Sequence, residues 1–411
     1  MAEKIDIQVL RNGMVLLGEP MEGVQSVAFD FMIPAGASGM PENKCGVANI
    51  IEDWIFRGAG DKDSRQLSDA IDSLGVMRTQ SVGTSHILIG GALEYGNLGN
   101  ALELYADVIN RPSLKDDEFE SARQLSIDEV LSLEDDPRQN VMLKLRERFY
   151  PSPLGRSTLG EIDDLKQLLP GPTRQIITEK FVPSGIIFSV AGKYDFEKLC
   201  RQLEHLFSDR RKANTSEDTI LQERSGKYTH INNDSAQLHI GLMTKTVRPM
   251  DEGYYDARIA VSVLSGGMSA RLFTEVREKR GLCYAIGARY HSLKEAAGIM
   301  CYAGTTPEKG QQTYDVIIEQ FRNLSNGISL QEIDTAKAGL KSALILQSES
   351  SGSRASSIAS DFYMLGRVRS LDEIKDAIDA TSVDSVLSFL EGHPFREFTA
   401  FTIGPVKLNV A

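Results

Sequence analysis

Histidine is scarce in this chain and scattered. The six are His86, His205, His230, His239, His291 and His393. No two stand three or four positions apart, so no helix face can offer two imidazoles to one metal ion. The four cysteines, Cys45, Cys200, Cys283 and Cys301, form no Cys-x-x-Cys pair. That spacing excludes a zinc knuckle or a disulfide framework, and predicts reduced, mostly buried thiols in a cytoplasmic protein. No apolar run is long enough to span a membrane, and Met1 to Asp6 open with nothing suited to a signal peptide. Positive charge is in deficit, with 45 Lys and Arg against 57 Asp and Glu, a net −12. A nucleic-acid surface is therefore not expected. The densest basic run, Arg210-Arg211-Lys212, reads as part of a solvated linker.

What is present is an ordinary globular composition, 41% hydrophobic and 25% charged, in 411 residues. That length suggests two or three domains. The most informative stretch runs from Gly46 to Gly58. Val47, Ile50, Ile51, Trp54 and Ile55 recur at three- and four-residue spacing, which predicts a helix ending near Gly58. Asn49, Glu52 and Asp53 then project from one face. Such a helix can aim three polar groups at a shared point.

This stretch resembles the zinc helix of the insulinase/pitrilysin metallopeptidases, the inverzincins. Their signature His-x-x-Glu-His sits in a frame of Gly-x-Ala before it and Phe-x-Gly after. The frame survives as Gly46, Ala48, Phe56 and Gly58, and the general-base position as Glu52. The two histidine positions hold Asn49 and Asp53. The family's third ligand, a glutamate on a later helix, falls on Glu129. The chain thus keeps both carboxylates and lacks both imidazoles. Asn49 and Asp53 read as a polar pair hydrogen-bonded across one turn, and no zinc is expected in this chain, because an amide is a poor zinc ligand.

The remaining pattern alternates strands and helices. Asn12-Gly13 between Ile5 to Leu10 and Met14 to Leu17 fits a type I′ hairpin. The Ser-rich piece Ser348 to Ser357 reads as a structured turn between helices. An internal duplication is visible. Glu118-Phe119-Glu120-Ser121-Ala122-Arg123 matches Glu332-Ile333-Asp334-Thr335-Ala336-Lys337 in type at every place. Phe149-Tyr150 before Leu154-Gly155-Arg156 echoes Phe362-Tyr363 before Leu365-Gly366-Arg367. A period of roughly 210 residues means tandem domains. The expected fold is α+β: two homologous domains, 1–207 and 228–411, joined by a polar linker at 208–227. Each is a mostly antiparallel sheet with helices on one side.

The second half carries Ser265 to Phe273, then Val276-Arg277-Glu278, then Gly281-Leu282-Cys283-Tyr284. This is similar to a second motif of the same family, in which an arginine and a tyrosine seven positions apart face the zinc site of another domain. The match falls on Arg277 and Tyr284, and it is intact. The resemblance implies a non-catalytic subunit of a two-chain peptidase, in the mitochondrial-processing-peptidase-like branch. A homologous zinc-bearing partner would hold the metal, an extended peptide would be the substrate, and Arg277 and Tyr284 would act in trans. Two alternatives stand beside it: a structural or peptide-binding protein with no catalytic role, and a hydrolase using Glu52, Asp53 and Glu129 with an unusual metal.

Overall fold

The structure, a computed structural model, describes residues 4–208, 221–223 and 226–410. Most of the 208–227 linker, with its Arg210-Arg211-Lys212 run, lies outside the described residues. The strands are β1 Asp6–Val9, β2 Val15–Pro20, β3 Ser26–Ile33, β4 Gly58–Ala59, β5 Lys62–Asp63, β6 Met77–Val82, β7 Ile87–Glu94, β8 Ile187–Gly192, β9 Tyr228–Asn232, β10 Leu238–Thr246, β11 Cys283–Ser292, β12 Ala297–Thr305 and β13 Thr399–Gly404. The helices of the first half are α1 Val47–Trp54, α2 Ser64–Ser73, α3 Leu98–Asn110, α4 Asp116–Ser132, α5 Pro137–Phe149, α6 Ile162–Gln167, α7 Pro170–Lys180 and α8 Phe196–Leu206. Those of the second half are α9 Tyr254–Ser265, α10 Gly310–Asn323, α11 Leu330–Ser348, α12 Ser351–Leu365, α13 Leu371–Ala380 and α14 Val383–Gly392.

These elements form two compact units. The first draws on Met1–Ser132, Ser152–Leu221 and Gln347–Arg369; the second on Leu133–Pro151, Gln222–Leu346 and Ser370–Ala411. Helix α5 therefore belongs to the second unit and α12 to the first.

In the first unit six strands run in the order β1-β2-β8-β3-β7-β6. All neighbours are antiparallel except β2 and β8. Alternation along β3 sorts its side chains. Val27, Phe29, Phe31 and Ile33 enter the main core, while Ala28 and Met32 face the other way. Helix α1 buries Trp54 completely in that core; its ring meets Phe119 at 4.8 Å and its Nε1 donates to the Lys115 carbonyl at 3.0 Å. Gly46 opens α1 with φ +95°, and a Cβ there would stand 2.8 Å from the Gly160 Cα. Only glycine meets both demands.

The other face of this sheet carries α12, packed over β8, β3 and β2. Ala355, Ile358 and Ala359 pack on Leu17, Ala28, Ile187 and Ala191. Arg354 forks onto Glu19 at 2.6 to 3.0 Å, both side chains buried, and Ser356 donates to Asp30 at 2.6 Å. The Ser-rich expectation is corrected here. Only residues 349–350 lie between α11 and α12, because Ser350 caps α12 by accepting from the Ser353 amide.

The second unit repeats the plan, with strand order β11-β12-β10-β13-β9 and one parallel pair, β13 with β9. Helices α9, α10 and α14 fill its main core around Val261, Ile317, Phe321 and Phe389. Helix α5 lies on the opposite face, over β10 and β13. Gly241 and Gly298 leave room there for Leu145 and Phe149. The α+β class and the mostly antiparallel sheets are as expected, and each sheet gains one helix on its second face.

The hairpin at Asn12 differs from expectation. A type I′ turn needs positive φ at both central residues. Gly13 has φ +87°, whereas Asn12 stays out of the left-handed region. Asn12 instead accepts from the Met14 amide at 2.9 Å and donates to the Phe207 carbonyl at 2.7 Å. Tertiary contact sets this loop.

Candidate functional site

Helix α1 presents Asn49, Glu52 and Asp53 on one face, and α4 packs beside it with Glu129. Asn49 Nδ2 donates to Glu129 Oε2 at 2.8 Å and to Ser126 Oγ at 3.3 Å. Asp53 accepts from Arg57 Nε, one turn along, and Arg57 Nη1 reaches Glu118 at 3.2 Å. Asn49 and Asp53 are thus not bonded to each other, as the sequence suggested; each turns to a separate partner. The physical reason lies with Asp53, which gains a charge-assisted bond from the Arg57 guanidinium, while Asn49 keeps an amide-to-carboxylate bond by taking Glu129 in place of Asp53.

Glu52 lies between them with its carboxyl pKa raised to about 7. Burial is the largest cause, followed by the charges of Asp53 and Glu129; Arg78 and a hydrogen bond with Gln80 oppose it. Gln80 Oε1 is buried with no partner among the described residues. Arg78 and Gln80 were not anticipated. The alternation along β6 puts both on one face, which is the signal that could have found them. β6 is also the open edge of its sheet, with Met77 76% exposed.

This donor set does not suit zinc. Asn49 uses its amide to donate, Glu129 accepts that bond, and Asp53 is held by a guanidinium. Among the described residues no group of three or more His, Cys, Asp or Glu is arranged to hold a metal ion.

The second motif lies in the second unit. Residues Phe273–Glu278 form a π-helix. The Lys279 amide reaches back to the Thr274 carbonyl at 2.9 Å, the widened repeat that defines it. Arg277 lies on this turn with its guanidinium over the Phe273 ring at 4.8 Å. The neighbouring cations are neutralised. Arg271 binds Glu332 at 2.6 Å, and Lys279 and Arg280 bind Glu275 at 2.6 Å each. The Arg271 hydrogen bond, chief among the causes, holds the Glu332 carboxyl down to about 2. Arg277 is exposed and pairs with no carboxylate among the described residues.

Tyr284 follows on β11. Cys283 pairs with Thr305 and Ala285 with Gly304, so Tyr284 is the extra residue of a β-bulge. Bulges re-aim side chains, and this one leaves Tyr284 66% exposed. The turn between the two residues is fixed from beneath. Thr305 Oγ1, fully buried, donates to the Leu282 carbonyl at 2.5 Å, and Lys309 Nζ to the Gly281 carbonyl at 2.8 Å.

Residues 19–161 match the family model for insulinase, peptidase family M16, and residues 174–340 match that for the peptidase M16 inactive domain. The chain belongs to the insulinase family. The first match spans Asn49 to Asp53 and Glu129, and the second spans Arg277 and Tyr284. The insulinase-family chain is 24% identical to a protein named uncharacterized zinc protease from Rickettsia felis, over the whole of both. It is 26% identical to the uncharacterized zinc protease YmxG of Bacillus subtilis, over 92% of each. Its fold is that of a structure described as the peptidase M16 inactive domain from Pseudomonas fluorescens, with a TM-score of 0.89, 18% identity and 99% of each chain covered. A protease from Helicobacter pylori gives 0.88 at 18% identity, covering 98% of this chain and 99% of that one. No described helix is long and apolar enough to cross a membrane.

Proposed function

We propose that this chain is the non-catalytic subunit of a two-chain zinc metallopeptidase of the processing-peptidase type, working in the cytoplasm. Its partner is a homologous chain that holds the zinc. This chain contributes Arg277 and Tyr284 and binds peptide in extended form, along a sheet edge such as β6. The observation that carries the reading is the contrast between the two motifs. The first has its ligand positions tied up in Asn49–Glu129 and Asp53–Arg57 bonds. The second offers an exposed guanidinium and an exposed phenol on irregular backbone, while the cations around them are neutralised.

Both groups are hydrogen-bond donors. Aimed at a scissile carbonyl, they favour the transition state over the bound peptide, because negative charge grows on that oxygen. The hydrolase reading with an unusual metal is disfavoured by the same bonds that occupy Asp53 and Glu129.

The test is turnover of a quenched peptide by the reconstituted pair. Tyr284→Phe removes one hydroxyl from an exposed ring. Arg277→Ala removes a side chain without an ion-pair partner among the described residues. Each is expected to lower kcat by about a hundredfold or more, with KM less affected. If both leave kcat within about twofold of wild type, under roughly 0.5 kcal/mol on the activation scale, the in-trans role is wrong. The chain is then a structural or peptide-binding partner.

A further inference from the structure

The matched hexapeptides set α4 and α11 in one register, so each helix is a control for the other. Continued from Glu118 and Glu332, that register places Gln124, Asp128 and Glu129 of α4 against Ala338, Ser342 and Ala343 of α11. The face of α4 is polar, and Gln124 donates to Asp128 there at 2.8 Å. The same face of α11 lacks that polarity. From Ala338 to Leu346 its one charged residue is Lys341, which donates to Asp379 at 2.5 Å.

Helix α11 buries Ile333 and Ala336 on its inner side. Thr335, Ala338, Ser342 and Ile345, spaced by three and four, make the outer side, with Gly339 and Leu346 beside them. All six are exposed, Ile345 by 55% and Leu346 by 69%. A helix face turned to water ordinarily carries charge. This one carries small residues first and two large aliphatic ones last. Exposed apolar surface of that kind marks contact with another chain.

A cleft of about 280 Å³ opens at the start of the same helix. Thr335 and Ala336 form one wall, and Val263, Gly266, Gly267 and Ala270 the other. Glu332 is the one charged residue among the described residues that line it, and Arg271 holds its carboxylate at 2.6 Å. The cleft is below the size of ordinary small-molecule sites, and of the scale of one or two aliphatic side chains.

We propose that the outer face of α11 pairs with a second copy of this chain across a two-fold axis. The two α11 helices lie antiparallel, with the axis beside the stretch from Ala338 to Ser342. Ile345 and Leu346 of each copy then lie over Thr335, Ala338 and Gly339 of the other and fill its cleft. Thr335 and Leu346 are about 16 Å apart along the helix, so both ends engage at once. Large side chains meet small ones at each end, which is the self-complementarity that a two-fold contact requires. Charge favours the same occupant. A chain of net −12 repels its own copy, and an uncharged seam is where that repulsion is least. A seam this short gives a weak, concentration-dependent dimer. The contact uses neither Arg277 nor Tyr284 and stands apart from the in-trans role.

The test is the mass of the full chain in sedimentation velocity, over about a hundredfold range of concentration. Wild type is expected to pass from monomer to dimer and to stop there. Leu346→Asp and Thr335→Lys change exposed positions of a helix, so each keeps the fold, which thermal melting checks. Each is expected to weaken the dimer by at least about tenfold. Mixed in equal amounts, the two variants should pair again. One end of the mixed dimer keeps Leu346 over Thr335, and the other sets the new carboxylate against the new ammonium. A wild type that stays monomeric throughout, a Leu346→Asp dimer as tight as wild type, or a mixture that fails to pair would overturn the proposal. Growth past the dimer into open chains would overturn it too, because a two-fold contact closes on itself.

Discussion

The Asn49 amide donates to the Glu129 carboxylate across 2.8 Å, from α1 to α4. Two positions that the resemblance assigns to metal ligands are here joined directly. A single hydrogen bond does the bridging that a metal would, and Ser126 adds a second contact to the same amide. The Glu129 carboxylate is therefore paired without any imidazole beside it.

That relationship makes the site convertible. Asn49→His with Asp53→His would free Glu129 and supply two imidazoles on one face of α1, giving three ligands with Glu52 beside them. Arg57 would lose Asp53 but keep Glu118. The double variant is expected to take up about one zinc per chain, measured by elemental analysis after dialysis. A folded double variant that retains none would show that α1 and α4 no longer hold the required geometry.

Glu52 should make stability fall as pH rises. Its carboxyl keeps its proton to about pH 7 when folded, against an ordinary value near 4.5. The unfolded chain therefore binds fewer protons between those two values. The folded state has its full stability below the lower one and has lost Glu52's share above the higher. Glu52→Gln should match wild type at pH 4 and exceed it by up to about 3 kcal/mol at pH 8. Urea midpoints at both pH values decide; a gain that is the same at both would remove ionisation of Glu52 as its cause.

Arg354 and Glu19 form a buried, forked pair between α12 and β2. Arg354→Ala strands a carboxylate in a dry place, and a loss of about 3 to 5 kcal/mol is expected. Replacing both, with Glu19→Leu and Arg354→Met, should recover most of it. Equal losses in the single and double variants, by urea denaturation, would assign the effect to packing rather than charge.

Thr305 supports the turn between Arg277 and Tyr284 through the Leu282 carbonyl. Thr305→Val keeps the shape and removes the donor. Stability should fall by about 1 to 2 kcal/mol, and kcat of the reconstituted pair should fall more than KM rises. A stability loss with unchanged kcat would make Thr305 a purely structural residue.

Much of this could be read from residue order. The period of α1 exposed one polar face, because that repeat is local. What escaped depends on contacts far along the chain. Nothing local tells Asn49 to choose Glu129 over Asp53, since the choice rests on α4 packing beside α1. The π-helix at Phe273–Glu278 reads as an ordinary helix, because one widened hydrogen-bond repeat leaves no mark on composition. The short α6 leaves no period to read, since six residues make too few turns. The six-residue duplication at Glu118 and Glu332 revealed two homologous halves. It could not reveal that α5 and α12 cover sheets belonging to the opposite half.

That last feature bears on how the protein can be divided. A break between residues 208 and 221 would separate the two repeated halves of the sequence, yet each fragment would carry one helix built for the other's sheet. The first fragment would expose Leu17, Ala28, Ile187 and Ala191 where α12 belongs, and the second would uncover Gly241 and Gly298 where α5 belongs. Neither fragment is a self-sufficient folding unit, although each contains a nearly complete sheet. Made together from separate messages, the two should rescue one another, each donating the helix the other lacks. The gene duplication visible in the sequence has therefore produced halves that are alike in pattern and no longer separable in practice.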